Sequence, residues 1–324
     1  SNGVSEKLPL EQLSSAISEN AGIVSEYLAT NHLPQPSFEA DGPSVIIPVN
    51  APPNVQLARQ KLLAASLELF QLAKGPSDFL PNLVTGFQYI SCLTWLCQYK
   101  IFHLVPLDAS ISYDALSTAS KVSVQRLKAI IRIRMTTGLF REDVDGGSVV
   151  HSATSALLAR DPVVYSYARH MCGGSAPVAQ KMAAAALKWG PDSTKPYVTA
   201  FNVALDIDLL FFDYLSRNPD KMAEFSAYMR NVRSSDTVSL RQLTAGFAWE
   251  GIREDGVVVD VGGSTGDAAI AIAEAFPHLK LVVQDVPANA DNGRKMLDSS
   301  RHASSSKDMT SWKNNLYEAR MCIS

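Results

Sequence analysis

Residues 257–287, VVVDVGGSTGDAAIAIAEAFPHLKLVVQDVP, constrain the fold more than any other stretch of the chain. Val257 to Val261 reads as a buried parallel strand, because apolar runs of this kind occur where both faces of a sheet are covered. Gly262-Gly263 ends it. Asp267 to Phe276 reads as an apolar helix, and Leu281 to Val283 as a second buried strand closed by Gln284-Asp285. Together they make one β-α-β unit. Gly262 and Gly263 let the backbone bend and come close to a ligand, and Gly266 lets the helix begin close to the strand. The N–H groups at that helix start favour a negative group such as a carboxylate. Asp260 could accept from a cationic amine. Asp285, nineteen residues beyond Gly266, stands where an acid grips the two hydroxyls of a ribose. The spacing GGSTG is neither GxGxxG nor a Walker loop. A plain strand–helix turn with no ligand uses the same glycines, so this stretch alone leaves both readings open.

The body upstream reads as helical. Apolar residues near helical spacing predict a helix over 5–31, and a second over 55–74 ended by Gly75-Pro76. The proline-rich segment 34–54 between them is an extended connection. One or two very apolar helices follow over 79–103. Over 110–159 the pattern is a short helix (Tyr113 to Ser120), a longer one (Val124 to Thr137), a β-hairpin turning at Asp145-Gly146-Gly147, and a further helix. That order is a winged-helix pattern. Its second helix carries Arg126, Lys128, Arg132 and Arg134, but an acidic hairpin (Glu142, Asp143, Asp145) flanks it, which favours a scaffold over a DNA reader. Residues 161–249 read as mainly helical, with loops at Gly173-Gly174 and Gly190-Pro191.

Composition excludes several classes. A net charge of −3 with no basic patch argues against nucleic acid. No apolar run reaches the ~18 residues of a membrane span, and the N-terminus has no secretory pattern. Cys92, Cys97, Cys172 and Cys322 form neither a CxxC pair nor a metal-ligand cluster, so no metal is expected. Scattered thiols of this kind suit a reducing, cytoplasmic setting.

The segment 257–287 resembles the S-adenosylmethionine site of class I small-molecule O-methyltransferases of the caffeate/flavonoid type, in their fungal secondary-metabolism branch. YKIFHLVPLDASISYDALS, LKAIIRIRMTTGLFRE, VVHSATSALLARDP and AFNVALDIDLLFFDYLSRNPDKMAEFSAYM resemble that branch in the same order, so the likeness spans about residues 55–297. The resemblance implies a mainly α N-terminal dimerisation and winged-helix region followed by an α/β Rossmann-like methyltransferase domain, incomplete here. It divides the chain into a helical dimerisation region (1–105), a winged-helix-like region (106–160), a helical substrate-pocket region (161–250), a truncated cofactor-binding β-α-β unit (251–297) and a tail outside the family pattern (298–324). It implies cofactor contacts from Gly262, Gly263 and Asp285, to which the residue reading adds Asp260. It places Phe225, Met229, Trp249 and the 165–175 segment near a small-molecule pocket. Phe225 and Met229, four apart on one helix face, suit core packing equally well. It further implies a homodimer through the N-terminal helices.

Family members continue well past the second strand with further strands, an adenine pocket and the catalytic histidine. Residues after Leu297 show neither a strand pattern nor that likeness. A shifted reading frame over 307–324 permits a translation similar to the family's next segment, which points to a frameshift or altered splice. His278 lies on the wrong side of the β-α unit to act as base, and His302 falls in the tail. Methyl transfer needs a held cofactor, an aligned nucleophile and a base within about 3 Å. Autonomous transfer is therefore not expected, and S-adenosylmethionine binding is expected to be weak or lost. The expected function is a family member repurposed as a polyketide-type cyclase or pericyclase, as some relatives in this branch are. Such reactions need a shaped cavity and a few polar groups. His170 and Arg169 are the candidates, with His151. Each also reads as an ordinary core or surface residue. The alternatives are an O-methyltransferase completed by a partner chain, and a non-catalytic accessory subunit that pairs with another enzyme.

Overall fold

A computed structural model describes residues 9–234, 240–285, 289, 291–295 and 316–317. The chain divides into two compact units, Ser1–Asn231 and Val232–Ser324.

The first unit opens with α1 (Pro9–Thr30) and α2 (Pro53–Lys74), joined by the proline-rich connection. Their contact buries Val24, Leu28, Val55 and Ala58, together with Ile47 and Ala51 from the connection. Next come α3 (Phe79–Gln98), α4 (Ile101–Leu104), β1 (Ile111–Ser112), α5 (Tyr113–Ser120), α6 (Val124–Met135), β2 (Arg141–Glu142), β3 (Ser148–Val150) and α7 (Ala153–Arg160). The helix–helix–hairpin order is as read from the sequence. The sequence reading lacked β1, which pairs antiparallel with β3 and gives the sheet order β1-β3-β2. Local chemistry sets these boundaries. Ser112 accepts from Ala115 N, Ser123 from Arg126 N, and Ser152 and Ser155 form a reciprocal cap at α7. The core beneath joins Leu96, Ile101, Phe102, Leu127, Ile131 and Phe140 to their neighbours, each large apolar side chain contributing about 1.5–3 kcal/mol on burial.

Asp161 caps α8 (Pro162–Arg169) by accepting from Val163 N and Val164 N, with Pro162 at the first helical position. The Gly173-Gly174 pair, read as a loop, lies instead in a π-helical turn, His170–Ser175, which leads into α9 (Ala176–Ala179). With neighbours helical on both sides, the pair widens the helix rather than ending it. α10 (Met182–Trp189), α11 (Ala200–Leu205), α12 (Phe211–Arg217) and α13 (Pro219–Ser234) follow.

The second unit holds α14 (Leu240–Ala245), a 3-10 turn at Trp249–Gly251, β4 (Val257–Val261), α15 (Asp267–Ala275), β5 (Lys280–Gln284) and β6 (Leu316–Tyr317). β4 and β5 are parallel, as read. Two expectations need correction. The sheet has a third strand, β6, parallel to β5, in a segment whose sequence carries no strand pattern. The pairing is supplied by the neighbour's backbone, which a two-residue strand cannot announce by periodicity. The rest of the tail, with His302 and Cys322, lies outside the described residues. And β4 is not buried on both faces. Val257, Val259 and Val261 are 61%, 46% and 76% exposed. α15 covers only the other face, where Ala269, Ile272 and Ala273 pack with Leu281, Val283 and Trp249.

Among the described residues no helix is long and apolar enough to cross a membrane, and no group of His, Cys, Asp and Glu could hold a metal.

Candidate functional site

The turn from β4 into α15 is built by its glycines, each for its own reason. Gly262 has φ +78° with no atom within 4 Å of a would-be Cβ, so backbone conformation alone selects it. Gly263 is selected by contact: a Cβ there would stand 2.4 Å from Asp260 Oδ2 and 2.9 Å from Val283 Cγ1. Gly266, at φ +89°, caps α15, and a Cβ would meet Val283 Cγ2 at 3.3 Å. Of the two glycines expected to let the backbone bend and come close to a ligand, Gly263 is the closely packed one, and its neighbour is a side chain of the site itself.

That side chain is Asp260. Its Oδ2 is buried and has no hydrogen-bond partner. Burial, and next the charge of Asp285, hold its pKa above the ordinary carboxylate range. Asp285 Oδ2 accepts from Ser264 N at 2.6 Å, and its Oδ1 accepts from Asn289 Nδ2 at 2.9 Å. Two carboxylates at the tips of adjacent parallel strands, one of them orphaned, make a place suited to a cationic group. These acceptor oxygens suit an ammonium group and a pair of hydroxyls. Ser264 and Asn289 escaped the sequence reading because their roles depend on where the turn returns Asp285.

In the first unit, α8, the π-helical turn and α13 bring His170 against Tyr228 (ring centroids 4.7 Å apart, stacked) and Phe225 (5.8 Å). Tyr167 stacks on Tyr228 at 5.4 Å. Burial is the largest influence on His170 and lowers its pKa, with Glu224 opposing and Lys221 assisting. His170 is therefore neutral near pH 7. Arg169 Nη2 lies 2.7 Å from Glu224 Oε1, and Glu224 also pairs with Lys221 at 3.0 Å. Tyr228 and Glu224 were missed, although their spacing of three and one from Phe225 puts Tyr228 on its face and Glu224 beside it. Met229 is half-buried on the same helix.

Trp249 packs in the core of the second unit, 9% exposed, with Nε1 donating to the Leu243 carbonyl at 2.9 Å. His151 is a structural histidine. It is 1% exposed, Nδ1 is 2.8 Å from Ser155 Oγ and Nε2 3.0 Å from the Val105 carbonyl. The buried Cys92, Cys97 and Cys172 are free thiols.

Residues 82–161 match the O-methyltransferase dimerisation domain and residues 180–316 the O-methyltransferase domain. The chain is 57% identical over 287 residues to the O-methyltransferase pgmB of Aspergillus terreus, covering 89% of this chain and 65% of that protein. It is 38% identical over 296 residues to the O-methyltransferase bik3 of Gibberella fujikuroi, covering 91% and 65%. The chain thus spans just under two thirds of the length of the curated relatives it matches. Among solved structures, OxaC in complex with sinefungin and meleagrin aligns with TM-score 0.57 at 16% identity, covering 89% of this chain and 68% of that one. A pericyclic reaction enzyme aligns with TM-score 0.54 at 20% identity, covering 74% and 63%. At such identities these two speak for the fold alone.

Proposed function

The chain belongs to the O-methyltransferase family, and on that premise we propose that it binds S-adenosylmethionine at the β4–α15 turn and serves O-methylation of a small-molecule hydroxyl in fungal secondary metabolism. The observation that carries the reading is Asp260, whose buried Oδ2 has no partner. When bound, the cofactor supplies a methyl group on positively charged sulfur. Asp260 would hold its ammonium group and Asp285 its ribose hydroxyls, and the incoming positive charge would relieve the repulsion between the two carboxylates. Gly262 and Gly263 keep side chains out of the turn.

The exposed valine face of β4 requires an apolar layer, which a further polypeptide segment would add, from a partner chain or from the rest of a longer protein. The dimerisation domain supports pairing of two copies. Exposed Leu63, Leu67 and Phe70 on α2, with Leu80, Leu83 and Phe87 on α3, offer the apolar surface for it. The free thiols suit a reducing compartment, and we place the protein in the cytoplasm.

Calorimetry with S-adenosylmethionine and S-adenosylhomocysteine tests the reading. Saturable binding is expected, weakened about tenfold or more in Asp260→Asn. No heat with either ligand would refute it. A second reading, a cyclase or pericyclase, is favoured by neutral His170 seated against Tyr228 and Phe225. Substrate turnover without S-adenosylmethionine, lost in His170→Ala, would select it.

A further inference from the structure

Helix α6 carries four basic residues, and the structure accounts for three. Arg132 Nε bonds Glu142 Oε1 at 2.7 Å. Lys128 Nζ lies over the Tyr113 ring, 5.0 Å from its centroid. Arg126 is exposed in the first turn. Arg134 is different. It continues the buried stripe of Leu127 and Ile131 at helical spacing, so its stem runs inward. Its guanidinium lies over the Tyr89 ring, 5.3 Å from the centroid. Its Nε is buried without a hydrogen-bond partner, and among the described residues no carboxylate forms an ion pair with it.

The groups that reach it electrostatically are Cys92 and Tyr89 of α3 and Cys172 of the π-helical turn. Burial raises the pKa of both thiols, so neither supplies a counter-charge near neutral pH. A guanidinium does not escape by losing its proton. A cation–π contact recovers only part of what desolvation costs it. Arg134 is half-buried and only its Nε is enclosed without a partner, so the open edge of the guanidinium is left to water or to an anion from outside the unit.

We propose that Arg134, with Tyr89 as its platform, is a receptor for the carboxylate of a small aromatic acid. The guanidinium edge offers parallel N–H donors matched to a planar carboxylate. The tyrosine ring suits an apolar aromatic body stacked beside it. The inference rests on the small-molecule reading above but needs no methyl donor.

Calorimetry of the full chain at pH 7.5 with 1-naphthoate and its neutral counterpart 1-naphthamide provides the test. The carboxylate is expected to bind about tenfold more tightly than the amide, the worth of one charge-assisted contact. Arg134→Gln is expected to erase that preference and leave the amide unaffected, and Arg134→Lys to restore only part of it. The comparison of the two ligands on the unaltered protein stands even if a variant fails to fold. Equal affinity for both ligands, or no binding of naphthoate, overturns the proposal. So does a preference unchanged in Arg134→Gln together with dissociation of a dimer, which would assign the charge to a contact between copies. Titrating S-adenosylmethionine into the same sample separates the two readings: naphthoate preference without cofactor binding sinks only the methyltransferase, and the converse sinks only the carboxylate site.

Discussion

Replacing Gly263 by alanine probes the site where structure and ligand chemistry meet. The added Cβ would sit 2.4 Å from Asp260 Oδ2 and 2.9 Å from Val283 Cγ1, against ordinary contact beginning at 3.4 Å. Asp260 Cγ would stand at 2.6 Å as well, so turning the carboxylate about its own axis does not clear the contact and the side chain must swing as a whole. Val283 cannot follow easily, being 8% exposed in the core beneath α15 and stiff at χ1. Overpacking of this kind costs about 1–3 kcal/mol. Gly262→Ala is the control. Its Cβ would meet nothing within 4 Å, but φ is +78°, so the cost is about 1–2 kcal/mol of backbone strain, with Asp260 left in place. Hydrogen exchange across residues 257–284 reads the local stability, and calorimetry reads the cofactor. Both variants are expected to exchange faster, and Gly263→Ala to lose S-adenosylmethionine binding more severely than Gly262→Ala. If Gly263→Ala exchanges as slowly as the parent and binds equally well, the packing of Asp260 against Gly263 is wrong, and with it the reason for the orphaned oxygen.

Three further outcomes are expected. Tyr113→Phe removes a hydroxyl that donates to Glu142 Oε1 at 2.6 Å; urea unfolding should show a loss of about 1.5–3 kcal/mol, the range for bonds to charged acceptors, and an unchanged midpoint would contradict it. Burial is the main force lowering the pKa of His151 and of the less deeply buried His170. The unfolded chain takes up protons near pH 6.5 that the folded chain resists, so stability should be full above about pH 6.5 and decline below it. His151→Gln should flatten that decline, and an unaltered slope would count against it. Leu83→Glu with Phe87→Glu should turn a dimer into monomers in sedimentation; a persisting dimer would move the interface away from the α3 face.

The sequence by itself determined the parts governed by neighbours along the chain. Helical spacing, Gly75-Pro76 and the hairpin glycines placed the helices and hairpin of residues 9–160 to within a few residues, while 161–249 read only as mainly helical. The β-α-β order and the glycines of the β4–α15 turn were equally legible, because each depends on backbone sterics within a few positions. Tertiary structure alone decided what those elements meet. Val257, Val259 and Val261 have the residue types of a buried strand, yet face outward because burial belongs to the covering layer and not to the strand. Residues 316–317 form a strand only through the free backbone groups of β5. Asp260 and Arg134 look like many other charged residues in the sequence. Each has a buried atom without a hydrogen-bond partner, as do Arg141 and His278 among the described residues, a property of space that no local pattern encodes.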